Sequence, residues 1–382
     1  TSRTFHGRIF RDYLMKQGDG FDVRYGGLGL RQLGIASLHS KLDVKVANLM
    51  KILCSQEIYR YALLEMDVDS PELPVAMLSD FHLGKCEETL IEFASKLKNS
   101  DNKEPIWSDF SQRWFTLIPS NRPFVMRDFN ELADHGAAVL ESVRDIVAAS
   151  RLVGDMTGAT LDDPIADRYT KLGCSISPLD SEHDDYRMIV DYLNRTYEPV
   201  TLGDIGYKIS VDDIFTVESH ASNAVNNLPN KLLLWCGTRS SNLVRHLQKG
   251  FLTNVCRIPA TGYMFGEAVV CSEAAAEAAM YGFTAIDRPE GFLILAVVSV
   301  GDDVREIKSV PRETNEKTAV KALGRKKTDE SQHFSWGNNV RVPCGNLVGS
   351  EHRDSPFEYN QYAVYDPRHA AIKFLVSLKY EE

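Results

Sequence analysis

Leu233-Leu234-Trp235-Cys236-Gly237-Thr238-Arg239-Ser240-Ser241-Asn242 is the stretch on which the fold turns. Its first half continues an apolar run from Lys231 to Trp235 and reads as a strand. Its second half offers Ser240 or Ser241 as the N-cap of a short helix that runs through Leu243 and Leu247 to Gly250. Further out, strand-rich segments recur over Ile209 to Glu218, Phe292 to Val300, Tyr359 to Asp366 and Phe374 to Leu378. A helix from about Glu182 to Thr196 precedes them, and a second short helix runs from Ser272 through an Ala-rich stretch to Gly282. Strands paired with so few helices make an α+β domain over 181–382.

Upstream the periodicity is helical. Leu42, Val46, Leu49, Met50 and Leu53 fall on one face, as do Leu90, Phe93, Ala94 and Leu97 after a cap region at Ser79-Asp80. A third stripe, Val139, Val143, Ile146 and Val147, continues toward Leu152 and ends near Gly154. Successive amphipathic helices without strands between them predict a helical bundle over 41–180. Residues 1–40 are Gly-rich and weakly basic, which suits a linker, and the chain opens on Thr1 rather than Met. The expectation is a piece of a longer protein whose upstream modules join at this linker. Gly27-Leu28-Gly29 is no dinucleotide fingerprint, because Gln32 stands where the third glycine belongs and no strand precedes it.

Hydrophobic residues are 43% and charged residues 25% of the 382, an ordinary globular composition. No apolar run of about 18 residues occurs, so no membrane partner is expected. The net charge of -10 argues against broad binding to phosphate backbones, so DNA contact is expected only through the upstream modules. Seven scattered cysteines, without a Cys-x-x-Cys pair or zinc-finger histidines, read as free thiols in a reducing compartment, with no metal site. His246 and Cys256 read as surface or core residues rather than a catalytic pair. The cluster Lys317, Lys321, Arg325, Lys326, Lys327 reads as a solvated loop, with a contact site as the alternative. No Gly-x-Ser-x-Gly elbow, P-loop or His-Glu-x-x-His appears.

A set of strings in fixed order carries more information. The opening stretch resembles Leu-Leu-Trp-His-Gly-Ser-Arg-x-x-Asn of the poly(ADP-ribose) polymerase catalytic domain. Thr261-Gly262-Tyr263-Met264-Phe265-Gly266 resembles that family's segment before its active-site Tyr, and Tyr359-Asn360-Gln361-Tyr362-Ala363-Val364-Tyr365-Asp366 its Tyr-Asn-Glu-Tyr-Ile-Val-Tyr-Asp strand. Upstream, Arg113-Trp114-Phe115-Thr116-Leu117-Ile118-Pro119 and Asp163-Pro164-Ile165-Ala166-Asp167-Arg168-Tyr169 resemble strings of its helical regulatory domain. The resemblance implies an all-α regulatory bundle followed by an α+β ADP-ribosyltransferase domain with antiparallel sheets. It also implies NAD as co-substrate, a nuclear location and protein partners in the DNA-damage response.

The family transfers ADP-ribose from NAD with a His-Tyr-Glu triad. The carboxylate stabilises the positive charge that grows on the ribose as nicotinamide leaves. The His holds the adenine-side ribose, and the Tyr stacks on the nicotinamide. By this resemblance the triad positions are Cys236, Val270 and Gln361, a pattern similar to the plant branch whose triad begins Cys-Val. A thiol is a weak donor and acceptor, valine has no aromatic face, and the neutral amide cannot counter developing charge. Losing one preorganised electrostatic partner typically costs about 3 to 4 kcal/mol, and three losses need not add. The family's Lys and Ser in the helix before Tyr281 align with Glu277 and Ala278, which removes a hydroxyl that reaches the nicotinamide amide. Gly237, Thr238, Arg239, Asn242, Tyr263 and Tyr281 survive as cofactor-side positions, serving either the fold of a disused pocket or a pocket that still takes a nucleotide. Three functions follow as alternatives: a pseudoenzyme acting as an interaction module, a weak mono-ADP-ribosyltransferase, and a nucleotide sensor without turnover.

Overall fold

The computed structural model describes residues 40–65, 67, 78–99, 104–118, 120–154, 163–202, 205–219, 224–253, 265–266, 268–282, 290–309 and 318–381. The chain divides into two compact bodies, centred on 47–171 and on 172–253 with 267–382.

The first body is helical: α1 (Val44–Leu53), α2 (Gln56–Glu65), α3 (Asp80–Asn99), α4 (Glu104–Leu117), α5 (Phe129–Leu132), a π-turn (Ala133–Ala137), α6 (Ala138–Gly154) and α7 (Pro164–Leu172). The predicted stripes are buried, from Val46, Leu49, Met50 and Leu53 through Leu90, Phe93 and Leu97 to Val143, Ile146 and Val147. The Ser79 hydroxyl accepts the N–H of His82 and caps α3 as expected. Helices α2, α4 and α7 lie outside the sequence reading. Helix α4 nevertheless carries its own stripe of Trp107, Phe110, Trp114 and Leu117, and Phe110 stacks on Phe93 with ring centroids 3.8 Å apart. The Trp114 indole donates to the carbonyl of His135 at 3.0 Å, inside the π-turn. Helix α7 starts at Pro164, whose missing N–H costs nothing at that position. The Asp163 carboxylate before it accepts the N–H groups of Ala166 and Lys41 and the Ser40 hydroxyl.

The second body is a mostly antiparallel mixed sheet in the order β1-β3-β14-β6-β4-β5-β13-β8-β7. These strands are β1 (Ser175–Pro178), β3 (Ile205–Glu218), β4 (Lys231–Gly237), β5 (Val269–Ser272), β6 (Glu290–Ser299), β7 (Val304–Ile307), β8 (Ala319–Ala322), β13 (Gln361–Val364) and β14 (Ala370–Glu381). Beside them lie β2 (Val200–Leu202), β9 (Lys326–Thr328), β10 (Phe334–Trp336), β11 (Val340–Val342) and β12 (Leu347–Gly349). Only β11 with β4 and β7 with β8 pair in parallel among the described strands. Helices α8 (Asp184–Thr196) and α10 (Ala275–Gly282) pack on the central strands, and α9 (Leu243–Lys249) follows β4. Tyr192 of α8 sets its ring 5.1 Å from that of Trp235 and donates its hydroxyl to the Leu233 carbonyl. Around this pair Leu233, Leu295, Phe374, Ala275 and Ala279 are sealed from solvent. Each large side chain buried there stabilises the fold by about 1.5 to 3 kcal/mol.

Several expected boundaries move, each for a local reason. Strand β14 extends from the expected Phe374–Leu378 to Ala370–Glu381 because ladders to β3 and β6 run along both its edges. The segment Tyr359–Asp366 shortens to Gln361–Val364, since the Asp366 carboxylate caps a 3-10 turn by accepting the Arg368 N–H. Ser240 and Ser241 are not the cap of α9: with Asn242 they form a 3-10 turn, and Asn242 stands at the N-cap position. Gly250 ends that helix as expected, with φ +75°. Ser272 belongs to β5, and α10 begins three residues later, its Ala275 N–H accepted by Thr196 of α8. The basic cluster is not a solvated loop: Lys321 lies on β8 near Glu306 (3.4 Å), Arg325 pairs with Glu358, Lys326 with Glu198 (2.6 Å) and Lys327 with Glu330 (3.6 Å). Lys317 lies outside the described residues.

Candidate functional site

The sheet divides in two at its middle. Trp235 of β4 is in register with Ser272 of β5, which is in register with Gln361 of β13, which is in register with Ala322 of β8. The ladder between β4 and β5 consists of that one pair. Beyond it β4 stays with β6, as Cys236 faces Ile294 and Gly237 faces Leu293. Strand β5 stays with β13, where Val270 faces Ala363 and Val269 faces Val364. The next residues along the parting strands are Gly237 and Val270, both exposed, Val270 by 37%. The three positions assigned by resemblance therefore lie on neighbouring strands at the split between β4 and β5, with β13 beside it.

Their chemistry departs from the sequence expectation at one position. Cys236 and Cys271 are joined by a disulfide and are 2% and 3% exposed. This corrects the reading of all cysteines as free thiols, because antiparallel register brings together two residues 35 apart in sequence. Cys54, Cys86, Cys174 and Cys344 are free, and Cys256 lies outside the described residues. Burial pushes the Cys54, Cys86 and Cys174 thiols up to about 12 and Cys344 to about 11, so all four stay protonated. At the His position the sulfur thus has no proton to donate. Gln361 is 5% exposed and uncharged.

The described cofactor-side positions gather on the same end of β4. Gly237 lies against α10: a Cβ there would stand 2.8 Å from the Ala278 carbonyl oxygen and 2.5 Å from Cδ2 of Tyr281. Ala278 is buried and Tyr281 is 55% exposed at the rim. Thr238 is buried with its hydroxyl donating to the Arg239 carbonyl, Arg239 is exposed, and Asn242 accepts from the Ser241 hydroxyl. Tyr263 lies outside the described residues. Burial, and then the charge of Glu358, raise the Glu277 carboxyl to about 7, where the family carries a lysine by resemblance.

Sequence reading missed the groups that hold β13 in place. The buried Glu273 carboxylate accepts the Thr328 N–H at 2.8 Å, the Asn360 amide at 3.0 Å and the Tyr362 hydroxyl at 3.1 Å. Gln361 is thereby bracketed by two residues fixed to one carboxylate. Glu198 accepts from the Tyr359 hydroxyl and from Lys326. A lone acid inside the apolar run before α10 was the available signal for Glu273. Two clefts of about 700 and 720 Å³ lie toward the other end of β4, near Trp336 and Arg341 respectively, and include no triad position.

At the positions where, by resemblance, the family carries an aromatic ring, a carboxylate and an imidazole to hold and turn over NAD, the split offers an aliphatic side chain, a neutral amide and a sulfur without a proton, a set that does not match that of the family. Among the described cofactor-side positions, Gly237, Arg239 and Tyr281 are exposed.

Comparison with known proteins agrees with this architecture. The poly(ADP-ribose) polymerase regulatory domain matches residues 40–169, and the poly(ADP-ribose) polymerase catalytic domain matches residues 183–380. The chain is 58% identical to Protein ADP-ribosyltransferase PARP3 of Medicago truncatula over 100% of its own length and 49% of the relative's. It is 59% identical to the protein of that name in Arabidopsis thaliana, over 95% of the chain and 46% of the relative. To Poly [ADP-ribose] polymerase 1 of Arabidopsis thaliana it is 33% identical, over 90% of the chain and 35% of the relative. The chain spans about half the length, or less, of these curated relatives. A helical body, a split mixed sheet and two domain matches in the same order together place this chain in the poly(ADP-ribose) polymerase family.

Proposed function

We propose that this chain is the regulatory and transferase-fold region of a nuclear protein of the DNA-damage response that makes no poly(ADP-ribose) and acts as an interaction module. The observation that carries the reading is the content of the split: Cys236 in a disulfide, Val270 aliphatic, Gln361 neutral. Its partners are proteins of that response, and DNA reaches it through modules upstream of this region. Family membership supports NAD as the co-substrate of an active relative; here the altered triad opposes its binding.

A second reading, weak mono-ADP-ribosyltransferase activity using other groups, is favoured by the name of the relatives at 58% and 59% identity, which are called protein ADP-ribosyltransferases. The third, a nucleotide sensor, draws on the retained Gly237 and Tyr281. Titration calorimetry with NAD and with a nicotinamide-mimicking inhibitor tests the proposal. Loss of the stacked ring, roughly 0.5 to 1.5 kcal/mol, and of a hydrogen bond, about 1 kcal/mol, predicts inhibitor binding at least about tenfold weaker than to a family member with an intact triad. A submicromolar dissociation constant would contradict it, and saturable NAD binding without turnover would favour the sensor.

A further inference from the structure

We infer that Cys236 and Cys271 form a reversible thiol–disulfide pair that acts as a redox-controlled staple across the split between β4 and β5. The two sulfurs and the strands that carry them act in this way whether or not the site turns over NAD.

Position is the first argument. Trp235 and Ser272 are the one pair in register between the two strands, and Cys236 and Cys271 are the next facing pair, where the strands begin to part. The sulfur bond thus adds a second tie where the backbone ladder supplies only one. Strand β5 has four residues, and its partner on the other edge, β13, is equally short. A short strand with few ladder bonds opens locally at modest cost. A covalent link to β4, whose other edge is locked to β6 from Lys231 to Gly237, removes that freedom.

Selectivity is the second. The other described cysteines are free and held protonated by burial, whereas Cys236 has a second sulfur within reach, with Cα atoms 4.4 Å apart. In the nucleus, the location proposed above, a disulfide is not a permanent strut but a transient or sensing bond. Both sulfurs are covered, yet their neighbours Gly237 and Val270 are exposed. Reductant therefore approaches the bond from the exposed side at Gly237 and Val270.

The chemistry balances with a hydroperoxide as oxidant. One thiolate attacks the peroxide oxygen of hydrogen peroxide and becomes a sulfenic acid, releasing one water with the proton supplied by solvent. The second thiol displaces the sulfenic oxygen as a second water, so two thiols and one peroxide give one disulfide and two waters. In reverse, two glutathione thiols reduce the bond through a mixed disulfide and leave as glutathione disulfide. Oxidised, the pair holds Val270 against the end of β4. Reduced, it lets the strand bearing Val270 separate, so the redox state sets how far the triad positions can open.

The test equilibrates the full chain in buffers of graded reduced-to-oxidised glutathione, traps thiols by alkylation and reads the peptides holding Cys236 and Cys271 by mass spectrometry. Hydrogen exchange of 269–272 is followed in the same samples. The expected result is interconversion of the two cysteines together across the glutathione range, with exchange of the β5 amides at least about tenfold faster in the reduced protein. The Cys271→Ser variant should exchange fast in every buffer; if it fails to fold, the reduced wild-type chain gives the same reading. Two free thiols in the most oxidising buffer, a bond that persists in the most reducing one, or equal exchange in both states would each overturn the inference. Because no NAD is involved, failure here changes at most the bonded state of Cys236 and leaves Val270 and Gln361 as they are, whereas turnover of NAD would overturn the proposed function and leave the sulfur pair as it is.

Discussion

A Cβ placed on Gly237 would stand 2.5 Å from Cδ2 of Tyr281 and 2.8 Å from the carbonyl oxygen of Ala278, so β4 and α10 meet at a distance that only glycine allows. Gly237→Ala should therefore force Tyr281 and the α10 backbone aside, at a cost of about 1 to 3 kcal/mol. For a body of this size that lowers Tm by roughly 3 to 10 °C. Gly84, inside α3, has nothing within 4 Å of its Cβ position. Gly84→Ala should accordingly stabilise by about 0.5 to 1 kcal/mol. Calorimetric melting of both variants checks the contrast, and equal effects would show that the β4–α10 contact is looser than described.

Glu277 makes stability depend on pH near neutrality. Burial raises its folded carboxyl from 4.5 to about 7, so between those values the folded chain holds a proton that the unfolded chain has lost. Stability contributed by this group therefore falls as pH rises through that window, and the penalty is complete above about 7. Glu277→Gln should remove it, leaving the variant about 1 to 3 kcal/mol more stable than the wild type at pH 8 and nearly equal to it at pH 4.5. Urea unfolding at the two values measures this. The same offset at both would remove Glu277 as the cause.

Asp163 shows the opposite sign. Burial raises its carboxyl, but hydrogen bonds from the Ala166 and Lys41 N–H groups and the Ser40 hydroxyl outweigh that and hold it below its ordinary value. Its contribution is present above the unfolded value of 3.8 and is lost as pH falls through the lower folded value. Asp163→Ala should cost about 1 to 2 kcal/mol, read as a roughly 5- to 30-fold faster hydrogen exchange of the first turn of α7. Asp163→Asn, which keeps an acceptor oxygen, should lose much less.

The helical body was legible where apolar residues repeat at three and four. Helix α6 was bounded within a residue because Val139, Val143, Ile146 and Leu152 mark one face and Gly154 ends it. Helix α4 bears the same kind of stripe, but its apolar positions are almost all aromatic and are interleaved with polar residues, which blurs the face in the sequence. Strand β5 is four residues long and abuts α10, too short to leave a periodic trace, so the capping role expected of Ser272 went to the wrong element. The triad positions are assigned through resemblance alone, whereas the pairing of Cys236 with Cys271 was not legible at all. It depends on register between β4 and β5, two strands far apart in the sequence that share a single registered pair. The raised Glu277 carboxyl likewise comes from burial against the fold and from Glu358, a residue distant in sequence.

The most direct test of the central claim is transfer of label from radiolabelled NAD by the full chain, alone and with histones, read on a gel against a catalyst-free control, together with Gln361→Glu. A restored carboxylate beside Val270 and Cys236 still lacks the stacking ring and the ribose contact, and residues that act as a unit do not recover one at a time. The account predicts no polymer from either protein. Polymer from the unmodified chain, or full activity from Gln361→Glu alone, would contradict it.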